Sequence, residues 1–565
     1  MRLYTGKAVI AMLLAGAPLW VGSGAPLWVG SEDAFPVFSD VALELGVRLR
    51  NTSGSAAKDF IVESTGNGAG FFDYDNDGDT DLVITNGSTL ESHAAGGDPL
   101  VALYRNDHGR FVDVTREARL EARGWAAGVC VADYDNDGYR DVYATNYGPN
   151  VLYRNRGDGT FEDVSSASRT GDARWGTNCA FADYDRDGHL DLYVANYVAF
   201  DRTAIPPRGA SERCRYLGGD VFCGPLDLEG EADVLYRNNG DGTFTDVTSE
   251  AGIDDPGYYG FGVLFTDFDN DGWPDIYVAN DAVPNFLFRN NQDGTFSEVG
   301  LLSGTSVNER GRVQSGMGAA AGDYDSNGLP DIFVTNFARD TNTLYQNLGG
   351  LLFTETTAAA GLSETSPLHL GWGTVFADLD NDGREDLFVA NGHVYPGVDR
   401  ADSGQRYLQA KEVYRNAGGG RFEEVTSGAG RDLSVPKPGR GAAYGDPDND
   451  GDLDIVVINL DERPSLYRND GGNRRRWISL RLEGTRSNRD AIGARVELEA
   501  GGRGQVRQVQ SGGSYLSHND MRLHFGLGEA ARIDRIRIRW PSGDTEVIEN
   551  VMANQFLTIR EGGGR

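Results

Sequence analysis

Asp133, Asp135, Asp137 and Asp141 put four carboxylates into the nine residues DYDNDGYRD, with a glycine at the sixth position. Charges of one sign this close repel, and a divalent cation is the simple compensation. Ca2+ accepts roughly six to eight oxygens in a flexible geometry. Side chains at positions one, three, five and nine and the carbonyl at seven supply them, while the glycine permits the sharp turn. The pattern recurs seven times. The expected ligands are Asp73, Asp75, Asp77 and Asp81, then Asp133, Asp135, Asp137 and Asp141, then Asp183, Asp185, Asp187 and Asp191. They continue as Asp267, Asp269, Asp271 and Asp275, then Asp323, Asp325, Asn327 and Asp331. The last two sets are Asp378, Asp380, Asp382 and Asp386, and Asp446, Asp448, Asp450 and Asp454.

A helix–loop–helix calcium hand shares the start of this motif but needs a bidentate Glu at position twelve. Here that position holds Ile84, Ala144, Val194, Val278, Val334, Val389 or Val457, all apolar and inside a strand pattern. The hand is excluded. A solvated Asp/Gly turn would explain a single copy. Seven copies in register argue for up to seven Ca2+ sites.

The elements that position these loops follow from the flanks. Each motif is preceded by a small-apolar run such as GVCVA or GTVFA and followed by a β-prone run such as LYVAN or IFVTN. Downstream lies a second signature, for example LYRNRGDGTFEDVS from Leu152: strand, glycine turn, strand. One repeat thus supplies four short antiparallel strands that cannot bury their faces alone, which predicts a propeller blade. The last repeat offers LYRND at Leu466 but no fourth strand, and FSDVALELGV from Phe38 matches the missing piece. The expectation is an all-β protein: a seven-bladed β-propeller over residues 32–472, closed by its N-terminal strand, then a small β-sandwich over 473–565 built from six strands.

Residues 1–31 read as an export signal, with a basic start, a short apolar run and the octapeptide GAPLWVGS twice in tandem. The mature chain is expected to be secreted, extracellular or periplasmic, with no membrane span. Cys214 and Cys223 sit nine residues apart in a glycine-rich insertion and are expected to form a disulfide, whereas Cys130 and Cys179 read as buried, unpaired strand residues. The net charge is −33; from Arg474 onward 16 Arg face 11 Asp and Glu, so the acidity belongs to the propeller. That balance argues against nucleic acid and for cations. Arg535, Arg537 and Arg539 line one strand face, as a docking patch or as an ordinary solvated surface.

The repeats, each ending a small-apolar strand in D-x-D-x-D-G-x-x-D, resemble the FG-GAP/VCBS repeats of integrin α-chain propellers and of secreted bacterial proteins. The segments AIGARVELEAGGRGQVRQVQSGGSYLSHND, LHFGLG and IRIRWPSGDTEVIENV resemble the ASPIC/UnbV domain. Together they resemble the cartilage acidic protein family and its bacterial relatives. The resemblance implies a calcium-binding extracellular β protein without an agreed biochemical activity.

Strand order also sorts the connections by face. The acidic loops share one face; the long insertions, residues 87–100, 197–234 and 391–412, all fall on the other. Long loops on a rigid scaffold commonly carry binding. The reading is therefore a binding, adhesion or scaffold protein for a glycan, protein or small-molecule ligand. The alternative is an enzyme on the same face, a polysaccharide lyase or secondary-metabolite tailoring enzyme, with His369, His393 and Tyr395 as acid/base candidates. Trp125, Trp175 and Tyr259 enter three successive blades from that face, as an aromatic platform or as packing between blades.

Overall fold

Each acidic motif sits in the first hairpin of a four-stranded antiparallel sheet. A computed structural model describes residues 34–563 apart from Thr365, so the expected export signal and tandem octapeptide lie outside the described residues. The second blade is typical: Ala126–Ala132, Asp141–Asn146, Val151–Asn155 and Phe161–Asp163, in that spatial order. Seven such sheets occur among the described residues. In the seventh, the outermost strand is Val37–Asp40, paired antiparallel with Ser465–Asp470 so that Phe38 opposes Asn469. The first strand of each sheet neighbours the first strand of the next, and the order returns from Gly439–Gly445 to Ala69–Phe72.

Two asparagine series hold the sheets together. The Asn at or near the end of each third strand, for example Asn155 and Asn238, donates its side-chain amide to the second motif residue of the preceding blade: Asn155 to the Tyr74 carbonyl at 2.8 Å, Asn238 to the Tyr134 carbonyl at 2.9 Å. All seven blades do this. The contact from the first blade, Asn106, lands on Pro447 of the seventh at 2.6 Å.

The C-terminal residues form two sheets. One orders Leu523–Gly528, Arg476–Glu483 and Gln555–Arg560; the other orders Arg503–Gln508, Arg495–Ala500, Arg532–Arg539 and Thr545–Met552. Thr545–Met552 is a seventh strand beyond the six expected. It is an edge strand of mostly exposed residues, so it lacks the clean alternation that marks a half-buried strand. Val496, Leu498, Ile536, Ile538 and Trp540 fill the space between the sheets.

Residues 509–522, between two of these strands, run into the centre of the propeller. His518 exchanges backbone hydrogen bonds with the first blade, donating to Ala69 at 2.9 Å and accepting from Phe71 at 3.2 Å. Leu516 accepts from Val129, Gly513 donates to Val263, and Ser514 pairs with Ala319. The Ser514 hydroxyl donates to Ala442 at 2.7 Å and accepts from Thr374 N–H at 3.1 Å. Just ahead of the first inner strand, a Cβ on Gly68 would fall 1.6 Å from the Leu516 carbonyl, whereas glycines inside the inner strands are closed off by the next blade: a Cβ on Gly128 would fall 2.3 Å from the Thr177 carbonyl.

Cys214 and Cys223 are disulfide-bonded. Cys130 and Cys179 are also bonded to each other, against the expectation that they stand alone. They lie 49 residues apart in sequence, but adjacent blades bring their Cα atoms to 5.9 Å, within disulfide reach.

Candidate metal loops and the long-loop face

The seven acidic loops share one internal hydrogen-bond plan. At position one, Oδ2 accepts the N–H of the glycine at position six, as in Asp133 with Gly138 at 2.7 Å, and the contact recurs in every loop. At position five, the side-chain oxygen accepts the N–H of position seven, Asn327 included. At position nine, Oδ1 accepts the N–H of the third-strand asparagine in all seven blades, as in Asp141 with Asn155 at 2.7 Å. Its Oδ2 accepts the N–H of position two in six of them. The seventh has Pro447 at position two, which carries no N–H. The position-nine aspartate is therefore a staple across three strands as well as a metal-ligand candidate.

These bonds leave acceptors over. Oδ1 of Asp73, Asp75, Asp135, Asp183 and Asp267 is buried without a hydrogen-bond donor. One carboxylate oxygen from each of Asp73, Asp75 and Asp81 lies within 4.8 Å of the others, and the same holds for Asp133, Asp135 and Asp141, for Asp183, Asp185 and Asp191, and for Asp267, Asp269 and Asp271, with further clusters besides. Burial, and next the Asp187 carboxylate, push Asp183 up to about 7. Burial, and next Asp490, push Asp133 up to about 8. A buried, converging, under-bonded set of oxygens fits a hard cation. The sets are not equivalent: at Asp380 the guanidinium groups of Arg475, at 2.8 Å, and Arg415, at 3.1 Å, supply part of the compensation.

Position four was not singled out in the sequence. It takes a left-handed backbone in all seven loops, φ +55° to +61°, which asparagine tolerates. Where it is Asn, its amide reaches the next loop: Asn76 to the Gly138 carbonyl at 2.8 Å, Asn136 to Gly188 at 3.0 Å, Asn381 to Gly451 at 2.9 Å. Asn at that position in five of the seven motifs was the available signal.

The C-terminal sheets sit against this face and touch every loop. Arg481 approaches Asp73 at 3.4 Å, Asp490 accepts from Arg140 at 2.8 Å, and Arg539 pairs with Asp267 at 2.5 Å. Arg495 donates to the Gly328 carbonyl at 3.1 Å, Arg475 to Asp380, and Arg522 to the Asp446 carbonyl at 2.7 Å. In the third loop, as in the second, the propeller supplies the guanidinium, with Arg186 donating to the Pro541 carbonyl at 3.0 Å. The row expected from Arg535, Arg537 and Arg539 is divided: Arg539 docks, while Arg535 and Arg537 remain exposed and pair across the strand with Glu499 and Glu497.

On the opposite face the residues singled out for binding or catalysis are covered, His369 excepted. Trp125, Trp175 and Tyr259 are buried in one aromatic cluster that also contains Phe261, Trp372 and Tyr515. They are packing, not an open platform. His393 is fully buried and Tyr395 is 9 % exposed, the two lying beneath Tyr216 and Phe222 of the 197–234 insertion. Burial, then the charge of Arg440, lowers His393 to about 3. Both lie in the expected connection, residues 391–412, but the longest insertion folds over them and closes them off from solvent. His369 stays 30 % exposed and bonds Glu412 at 2.9 Å; burial alone would lower its pKa, but Glu412 carries it upward.

Comparison with known proteins agrees with this architecture. The FG-GAP-like repeat family matches residues 73–144, 133–194, 219–278, 267–334 and 323–389, and the ASPIC and UnbV family matches 484–565. Cartilage acidic protein 1 of Homo sapiens is 26 % identical over 513 residues, covering 87 % of this chain and 71 % of that protein. The Mus musculus protein is 27 % identical, covering 87 % and 73 %. Among solved structures, an Agrocybe aegerita lectin that recognises terminal N-acetylglucosamine has a TM-score of 0.39 at 18 % identity, covering 67 % of this chain and 89 % of its own. No described helix is long and apolar enough to cross a membrane. With repeats matched over half the chain and the C-terminal domain matched besides, this protein belongs to the FG-GAP repeat family with an ASPIC/UnbV domain, homologous to cartilage acidic protein 1.

Proposed function

We propose that the chain is an exported, calcium-binding propeller that acts by binding, as an adhesion or scaffold protein, through its long-loop face. The observation that carries the metal half is the set of buried Oδ1 atoms without donors, at position one or three in four of the seven loops. Calcium would sit among Asp side chains at positions one, three, five and nine, and would supply charge compensation and rigidity. Two disulfides in one chain support an oxidising compartment. The location of the ligand face follows from occupancy of the other one: the acidic loops are covered by the C-terminal domain, which leaves the insertions as the accessible surface of the ring.

Thermal unfolding with calcium against chelator tests the metal reading. At free calcium 100-fold above a site's Kd, linkage contributes about 2.7 kcal/mol for that site. Several sites together exceed the ordinary stability of a domain, about 5–15 kcal/mol. The expected result is a midpoint that falls by tens of degrees on chelation. An unchanged midpoint would overturn the assignment.

A further inference from the structure

One cavity of the long-loop face opens at the edge of the buried aromatic centre. It has a volume of about 300 Å³ and lies beside the hairpin that pairs Arg215–Tyr216 with Gly219–Asp220. Its charged lining is Lys58, Arg208, Arg400 and Asp220, a cationic surplus in a chain of net charge −33. Two of the four are committed elsewhere, Lys58 to Asp461 at 2.5 Å and Asp220 to Arg215 at 3.2 Å. Arg208 is held by Asp59 at 2.8 Å and by the Asp220 carbonyl at 3.1 Å, yet its side chain remains 38 % exposed. Arg400 is exposed, and its side chain makes no ion pair or hydrogen bond among the described residues. Tyr216 and Tyr395 form part of the wall.

We propose that this cavity binds an acidic sugar, a uronate residue of an oligosaccharide, with its carboxylate on Arg400 and Arg208 and its ring against Tyr216. The inference rests on the long-loop-face reading above and names its ligand class. A guanidinium fork matches a carboxylate in two parallel hydrogen bonds. The volume is at the lower end of small-molecule sites, about 300–1,000 Å³, which suits one or two rings rather than a protein epitope. The aromatic wall beside the free cation is what separates a sugar acid from a bare anion. The hairpin is already fixed, by the Cys214–Cys223 disulfide and by the Tyr216 hydroxyl on Gln405 at 2.9 Å. Little ordering cost then opposes binding.

The test is calorimetry on the full mature chain with digalacturonate, the neutral galactose disaccharide of the same linkage, and inorganic sulfate. Digalacturonate should bind at least tenfold more tightly than the neutral sugar or sulfate. Arg400→Gln should weaken it at least tenfold, Arg400→Lys less, and hydrogen exchange should slow over residues 215–221. Arg400 is exposed, so both variants should keep the parent melting temperature. Equal binding of the two sugars, equal binding of sulfate, no uronate binding, or indifference to Arg400→Gln would each overturn the proposal. If another ligand then protects the long loops, the long-loop-face reading survives that failure. Uronate protection confined to the acidic-loop face would overturn both.

Discussion

At the scale of single residues, the asparagine at or near the end of each third strand does more than any one aspartate. Asn238 takes the Oδ1 of Asp191 on its backbone N–H at 2.8 Å and donates its amide to Tyr134 and Leu190 at 2.9 and 3.0 Å. Asn238→Ala strands two buried carbonyls, at about 1–3 kcal/mol each, so urea unfolding should show a loss of about 2–6 kcal/mol. A loss below about 0.5 kcal/mol, the level of an ordinary surface change, would show that the amide is not a joint. His393 gives a pH effect with a definite sign. Its folded value, about 3, lies below the ordinary 6.5, so the folded state disfavours its protonation. Its contribution is complete above about 6.5 and is lost as pH falls toward 3. Arg440, whose guanidinium donates to the His393 carbonyl at 3.3 Å, and the rings of Tyr216, Tyr395 and Phe337 surround it. Between pH 7 and pH 4 the wild type should lose about 3 kcal/mol relative to His393→Asn; parallel urea-stability curves would refute this. The aspartates were legible in the sequence because four carboxylates in nine residues demand compensation. The asparagines were not, because an Asn a few residues ahead of a glycine also reads as an ordinary turn residue. Only their register across all seven repeats marks them.

At the scale of elements, the strands were legible through a period of two and the repeated turns, and the channel segment was not. Residues 509–522, VQSGGSYLSHNDMR, carry the composition of a surface loop, yet Ser511, Ser514, Tyr515, Leu516, Ser517 and His518 are buried. Their partners are carbonyls and amides of inner strands far away in the chain, which composition cannot reveal. The same distance hid the second disulfide. Cys130 and Cys179 belong to different repeats, and each looks like a small core residue until the blades are set side by side. The bond closes a loop of 49 residues, for which chain entropy gives a ceiling of about 4 kcal/mol. The double variant Cys130→Ala/Cys179→Ala should therefore melt several degrees lower while keeping its far-ultraviolet spectrum. An unchanged midpoint would mean that the hydrogen bonds between these blades already hold them without the covalent link.

At the scale of the whole molecule, the acidic ring and the basic end of the chain form one electrostatic unit. The propeller carries the net negative charge, the last ninety or so residues carry an excess of positive charge, 16 Arg against 11 Asp and Glu, and each of the seven loops meets the C-terminal domain through at least one polar contact. At Asp73, Asp267 and Asp380 two agents thus share the compensation of the same carboxylates: the proposed calcium ions from within the loop, and guanidinium groups of the C-terminal domain from above. They need not compete, because at Asp267 the guanidinium of Arg539 takes Oδ2 while Oδ1 remains buried without a donor. If calcium orders the loops, it also fixes the surface on which Arg481, Arg539 and Arg522 dock. The two events are then linked, and what strengthens one must strengthen the other. Chelation should accordingly raise hydrogen exchange in the loops and, in the same calcium range, in residues 509–522, although no proposed ligand lies in that segment. Hydrogen exchange followed across a calcium titration of the full chain measures both. Loss of protection in the loops with the channel segment unchanged would show that the C-terminal domain holds its place without the metal, by its backbone hydrogen bonds to the inner strands alone.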